Sequence, residues 1–258
     1  MISIPLEPFY VWMMVFLRVG FVLFFFPVFG ERFVPVRIRL VLAMVIAVAL
    51  VPVSGLSVSD MPTSSSGLAI MVVSEALLGF SIGFVGRILF AIMQYAGQVA
   101  GEQMGFGMVN TLDPTGSHQI SVIAELLYIL SVLIFLATDM HHVFLRAIAH
   151  SWQQLPPGGA AFSAGLTGYM MQLGAVMFDF AVRLAMPVIL LVFAVYISLG
   201  MIAKAVPQFN VFLESFPLRI MAGMAVLMVS LGFTMTVWGN LCGRMDHMIL
   251  RVLEIFAG

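Results

Sequence analysis

The chain has 258 residues, of which 62% are hydrophobic and only 9% are charged. A soluble domain carries about a quarter charged residues, so this composition excludes an ordinary soluble protein and indicates an integral membrane protein. The 11 basic and 12 acidic residues give a net charge of −1. Because no basic run is present, nucleic acid is not expected as a partner.

Apolar runs separated by Gly, Pro and Ser breakers predict an all-α membrane protein, because the alternating pattern of a membrane barrel is absent. We expect one helical membrane domain over residues 1–258. Its helices are expected at roughly 8–29, 36–54, 66–101, 119–138, 139–155, 161–204 and 211–255.

Two of the apolar stretches are too long for a simple membrane span. Residues 68–101 would form a helix about 51 Å long, and residues 161–203 one about 65 Å long, whereas the hydrocarbon core is about 30 Å thick. We therefore expect these helices to be broken into hairpins or to project beyond the bilayer.

The basic residues predict an orientation. The loops Arg32 to Arg39 and Lys204 to Arg219 carry an excess of positive charge, whereas Ser54 to Gly67 carries only one acid. Because basic loops stay in the cytoplasm, the first two loops are expected inside and the third outside.

Several charged residues interrupt apolar stretches, where each would cost about 2.5–3.5 kcal/mol at the bilayer centre. Asp179 and Arg183 are spaced i, i+4 and are expected to form a buried charge pair. Glu75, Glu125 and this pair also permit an alternative function, a small secondary transporter or proton channel with a carboxylate relay. The remaining interrupting charges are Arg18 and Arg87.

The segment 139–155 is predicted to be an amphipathic helix that lies on the membrane surface or against a partner. Its apolar face would contain Met140, Phe144, Ile148 and Trp152, and its polar face His142, Arg146 and Gln153. The histidines His141, His142 and His150 lie near Asp139, but adjacent helical residues point to different faces. We therefore expect no metal site.

The most informative segment is the loop from Gly105 to Gly116. A helix with glycines at positions 97, 101 and 105 runs into glycine, phenylalanine, methionine and small polar residues, and an Asp-Pro turn follows at Asp113. The loop lacks the third glycine and the lysine of a nucleotide loop. Its flexible apolar side chains could instead seal a channel. A plain interhelical turn is the alternative.

Taken together, these segments resemble the FliR family of flagellar export-gate proteins and their type III secretion counterparts. The matching stretches are 27–37, 97–116 with Gln103-Met104-Gly105 and Asp113-Pro114, Leu155-Pro-Pro-Gly158, and 205–212 with Phe216-Pro217. The resemblance covers nearly the whole chain.

The resemblance implies a non-enzymatic subunit of the flagellar export channel, located in the bacterial inner membrane at the flagellar basal body and projecting partly to the periplasmic side. Long, bent helical hairpins would pack in a hetero-oligomeric helical assembly with FliP-type and FliQ-type subunits. FlhB-type and FlhA-type proteins would dock around it. Other implied partners are exported unfolded proteins and membrane lipid, and no cofactor, metal or catalytic residue is expected.

The resemblance also implies site residues. The loop 105–116 would be the plug of the channel, and its residues are Gly105, Phe106, Gly107, Met108, Val109 and Asn110, with Asp113 and Pro114 as the anchor. Subunit contacts are expected at Gly97, Gly101, Pro207, Gln208 and Asn210.

Overall fold

The structure is a computed structural model that describes residues 7–26, 34–57, 64–107, 121–159, 163–205 and 211–257. Within these ranges the secondary structure is α-helical and no strand occurs, which confirms the all-α class. The helices are α1 (Glu7–Phe25), α2 (Val36–Ser54), α3 (Ser65–Met104), α4 (Val122–Ala137), α5 (Met140–Gln154), α6 (Ala164–Ala205), α7 (Val211–Cys242) and α8 (Met245–Ala257).

The helix lengths fit an integral membrane protein. Five spans in the described part of the chain are long and apolar enough to cross a bilayer, and α4 with α5 makes a sixth if the broken pair counts as one. Helices α3 and α6 have 40 and 42 residues. At 1.5 Å per residue each is about 60 Å long, twice the thickness of the hydrocarbon core.

The expected final helix over 211–255 is divided in two. Helix α7 ends at Cys242, a turn occupies Gly243 and Arg244, and α8 begins at Met245.

Contacts group the chain into two compact units. Unit 1 comprises residues 1–88, 138–173 and 243–258, and unit 2 comprises residues 89–137 and 174–242.

In unit 1, glycines allow α3 to pack closely on α1. A Cβ atom added at Gly79 would lie 2.5 Å from the Cβ of Phe21, and one added at Gly83 would lie 2.7 Å from the Cβ of Phe25. Such distances are shorter than van der Waals contact, so only glycine fits there. Small residues allow this close approach of backbones in membrane helices.

Helix α5 has one buried and one exposed face. Phe144, Ile148 and Trp152 are buried, and the helix packs against α2 and α8. His142, Arg146 and Gln153 are exposed. The apolar face of α5 therefore packs against other helices of the same unit.

An ion pair in the interior of unit 1 connects α1, α3 and the end of α5. Arg18 is 0% exposed and Glu75 is 2% exposed. The guanidinium Nε and Nη2 donate to the two carboxylate oxygens of Glu75 at 2.6 and 2.7 Å. Nη1 donates to the Ser151 hydroxyl and Nη2 also donates to the Leu155 carbonyl, both at 3.0 Å, and the guanidinium carbon lies 5.2 Å from the centre of the Trp152 ring. Both charges are therefore compensated inside the unit.

The other charges within apolar stretches lie at more accessible positions. Asp179 and Arg183 do pair, with 2.9 Å between Oδ1 and Nε, but their side chains are 51% and 69% exposed. The prediction that this pair is buried is therefore wrong for the chain itself, because both side chains lie on an exposed face of α6. Arg87 is exposed, and Glu125 is half-buried in the first turn of α4, where the helix dipole favours a carboxylate.

The Arg18–Glu75 pair leads to a stability prediction. Glu75→Gln should lower the free energy of unfolding by about 3–5 kcal/mol, because it leaves the buried guanidinium without its counter-charge. The double variant Arg18→Met with Glu75→Leu should recover much of this loss, since no charge then remains buried. Urea titration of the detergent-solubilised protein measures both values.

The matched control is Asp179→Asn, which breaks the exposed pair and should change stability by less than about 1 kcal/mol. Equal losses for Glu75→Gln and Asp179→Asn would contradict a structural role for the buried pair.

Candidate functional site

The candidate loop begins at a well-formed helix end. The amide of Gly105 donates to the Glu102 carbonyl and that of Phe106 donates to the Gly101 carbonyl, each at 3.0 Å. These two bonds, with Gly105 at φ 100°, form the Schellman motif that ends a helix at a glycine. Gly105 is required here because its backbone is left-handed.

The two helices on either side of the loop are in close contact at glycine positions. A Cβ atom added at Gly97 would lie 2.5 Å from the Cα of Ala124, and one added at Gly101 would collide with the Ser121 side chain. The end of α3 and the start of α4 are therefore held together directly. This contact gives both glycines an intramolecular role, and their contact with another subunit stays a prediction.

The Gln98 side chain connects the same two helices by hydrogen bonds. Its Oε1 accepts the Ser121 amide at 2.9 Å, and its Nε2 donates to the Glu102 carboxylate at 2.7 Å. The Ser121 hydroxyl in turn accepts the Ile123 amide at 3.3 Å and so caps α4. Residues 102 and 121, which flank the loop, are thus linked through one amide side chain.

An apolar cluster of unit 2 lies at the C-terminal end of α3. Phe106 is half-buried and packs against this cluster, while Met104 lies against Gly223 of α7, where an added Cβ would be 2.5 Å from the Met104 Cγ. The cluster consists of Ala100, Met104, Ile123, Val188, Val192 and Leu227. The first residues of the loop therefore pack on this cluster. We use the name loop base for Gly97 to Gly107 together with Ser121 to Ala124.

The remaining predicted site residues lie outside the described ranges. They are the plug residues Met108, Val109, Asn110, Asp113 and Pro114, and the subunit-contact residues Pro207, Gln208 and Asn210.

Two of the three carboxylates that suggested a transporter relay have ion-pair partners. Glu75 binds Arg18 with both oxygens, and Asp179 binds Arg183 on its own helix. Buried charges were the sequence feature that favoured a relay, and the ion pair in unit 1 accounts for the most deeply buried carboxylate.

The sequence analysis considered the acidic and histidine side chains at the start of α5 but did not predict that they come together. Asp139, His141 and His142 each place one ligand atom within 4.8 Å of the others, although adjacent histidines were expected to point apart. Asp139 adopts a left-handed backbone (φ 56°), and the two histidine rings are 4.1 Å apart. The Nδ1 of His142 lies 3.4 Å from the Oδ1 of Asp139, which is the separation of two ligand atoms on a tetrahedral zinc ion, and the expectation that no metal binds here stays a prediction.

The comparisons with known proteins agree with the resemblance found in the sequence. Residues 9–245 match the family described as bacterial export proteins, family 1. This chain belongs to that family. The flagellar biosynthetic protein FliR of Caulobacter vibrioides is 30% identical over 229 residues, which cover 89% of this chain and 91% of the relative.

Other FliR proteins cover similar shares of the chain. The FliR of Bacillus subtilis is 30% identical over 234 residues, 88% of each chain, and that of Escherichia coli is 29% identical over 201 residues, 78% of this chain and 76% of the relative. These relatives of the export family are named as biosynthetic proteins, and none of these names describes an enzyme.

The loop base leads to a prediction at Gly97. Gly97→Ala should lower stability by about 1–3 kcal/mol, because the new methyl group meets the backbone of Ala124 and pushes the helices apart. Gly174→Ala is the matched control, since no atom lies within 4 Å of its added Cβ, and alanine in a helix interior should stabilise by up to about 1 kcal/mol. Chemical unfolding of both variants gives the comparison, and stabilisation by Gly97→Ala would contradict the close contact.

Proposed function

We propose that this protein is a core, non-enzymatic subunit of the flagellar type III protein export gate, the channel through which unfolded flagellar proteins cross the inner membrane. The observation that carries the proposal is the match to FliR relatives over nearly nine-tenths of both chains. The long apolar helices support it, because their length exceeds what a bilayer alone would cover.

Exposed apolar surface supports an assembly with other subunits. Met221 and Val229 on α7 are 72% and 87% exposed, and Met201 on α6 is 71% exposed. Lipid or protein must cover such surface. We assign this role to FliP-type and FliQ-type subunits, with FlhB-type and FlhA-type proteins docked around the gate.

Within the assembly the chain would act as a single membrane domain at the flagellar basal body, partly projecting to the periplasmic side. Gly97, Gly101, Pro207, Gln208 and Asn210 are the proposed subunit contacts.

The loop 105–116 is the proposed plug. Its support is the loop base, which holds residues 102 and 121 together and so fixes the two ends of the intervening segment next to each other. Phe106 and Met108 would supply the apolar seal, Gly105 and Gly107 its flexible backbone, and Asp113-Pro114 its anchor, with Val109 and Asn110 as further plug residues. Flexible apolar side chains close a pore by excluding water and repacking around a passing chain.

Deleting residues 105–110 should leave the complex assembled but make the membrane permeable to ions and small molecules. Assembly is retained because the glycine contacts and the Gln98 hydrogen bonds lie outside or at the edge of the deleted segment. Conductance of planar bilayers carrying the purified complex measures the leak, and co-purification with the partner subunits measures assembly.

A six-residue deletion of 58–63, in the connection between α2 and α3, is the control and should leave the bilayer tight. A tight membrane with normal export after deletion of 105–110 would exclude the plug assignment.

A further inference from the structure

A groove in unit 1 runs between the C-terminal end of α2 and helix α5. Its volume is about 580 Å³, which lies within the range of about 300–1,000 Å³ that ligand sites occupy. The apolar walls are Leu50 and Val53 of α2 and Leu145 and Ala149 of α5. The groove is therefore large enough, and apolar enough, to receive part of a hydrocarbon chain.

The α5 side of the groove also carries polar groups. Asp139, His142, Arg146 and Ala149 follow one another at intervals of three or four residues, so one face of the helix presents them to the groove. Arg146 is exposed. Among the described residues its guanidinium forms no ion pair, and its Nε donates one long hydrogen bond to the His142 carbonyl at 3.4 Å. Most of its donors are therefore open to a ligand.

The acidic group of the groove does not compensate this arginine. The Oδ1 of Asp139 lies 3.4 Å from the Nδ1 of His142, so the carboxylate is directed to the histidine. The seven positions between Asp139 and Arg146 correspond to about 10 Å along a helix. Within the described part of the chain, the groove therefore carries a positive charge without a counter-charge beside its apolar walls.

The groove lies where a bilayer presents lipid headgroups. Helix α2 is long and apolar enough to cross a membrane, and Val41, Val45 and Val48 on it are exposed. Leu50 and Val53 lie beside the end of this helix at Ser54. The end of a spanning helix meets the boundary between the hydrocarbon core and the headgroup layer. A ligand in the groove can therefore keep its apolar part in the bilayer and its polar part at Arg146.

We propose that the groove between α2 and α5 binds an anionic phospholipid, with an acyl chain against the apolar walls and the phosphate on Arg146. A planar guanidinium can donate to two oxygens of one phosphate, and the phosphate supplies the missing negative charge. Basic pockets between membrane helices bind lipid headgroups by the same chemistry. The site goes beyond the proposed role in export, and it depends neither on the plug nor on the other subunits.

The first test measures lipid binding by the full chain in a neutral detergent. Phosphatidylglycerol, which is anionic, and phosphatidylcholine, which is zwitterionic, are titrated separately, and native mass spectrometry counts the bound lipid. The unmodified chain should bind phosphatidylglycerol about tenfold more tightly. Arg146→Gln should remove this preference, because the charge-assisted hydrogen bonds to the phosphate are lost. Arg183→Gln, at an exposed arginine of α6, is the matched control and should keep the preference.

The second test concerns the apolar wall. Val53→Trp places a large ring in the groove from an exposed position and should weaken the binding of both lipids about tenfold, because the ring occupies the space of the acyl chain. Val48→Trp, at an exposed valine of α2 outside the groove, is the control and should bind both lipids normally. Circular dichroism checks that each variant keeps its helical structure.

Three results would overturn the proposal. Equal affinity of the unmodified chain for the two lipids would do so without any substitution, and this comparison decides if a variant does not fold. A loss of affinity in Arg146→Gln that Val53→Trp does not share would place the lipid outside the groove. If a protein subunit covers the groove instead, Val53→Trp would abolish co-purification with the partner subunits and leave phosphatidylglycerol binding unchanged.

Discussion

The close approach of α3 to α4 at Gly97 and Gly101 is the constraint on which the candidate site depends. Where a Cβ atom would overlap the neighbouring backbone or side chain, the two helices can meet only because both residues are glycine. The contact brings residues 102 and 121 close enough for the Gln98 side chain to bond to both. The two ends of the intervening segment are therefore held next to each other.

Two buried arginines show how this apolar chain accommodates charge in its interior. In unit 1, Arg18 has a carboxylate, a hydroxyl and a carbonyl around it. In unit 2, Arg219 has hydroxyls, a carbonyl and two aromatic rings. Both arrangements join residues of different helices, so each charge orders the packing around it. A charge within an apolar stretch is therefore weak evidence for a relay, and membership of an export family agrees with that conclusion.

Local patterns in the sequence were sufficient for the helical class and for the two faces of α5, because periodicity and breakers are local signals. The i, i+4 spacing also identified the pairing of Asp179 with Arg183, but exposure depends on neighbours that spacing does not reveal. The pairing of Arg18 with Glu75 spans 57 positions and has no local signal. The glycines at 97, 101 and 105 formed one pattern in the sequence, yet the first two pack against α4 and the third caps α3.

The central claim is that the loop base stays fixed while the loop opens and closes. It can be tested with cysteines at positions 101 and 121. An added Cβ at 101 would lie 2.9 Å from the Ser121 Cβ, so the helices must separate by about 1 Å to reach the distance that a disulfide needs, and the reduced form of the same variant is the reference for that shift. Cys242, the single native cysteine, would be replaced by serine. Export measured after oxidation should continue at the rate seen in the reduced protein. Export that stops when the disulfide forms and resumes on reduction would show that the base itself must open, and would contradict the account.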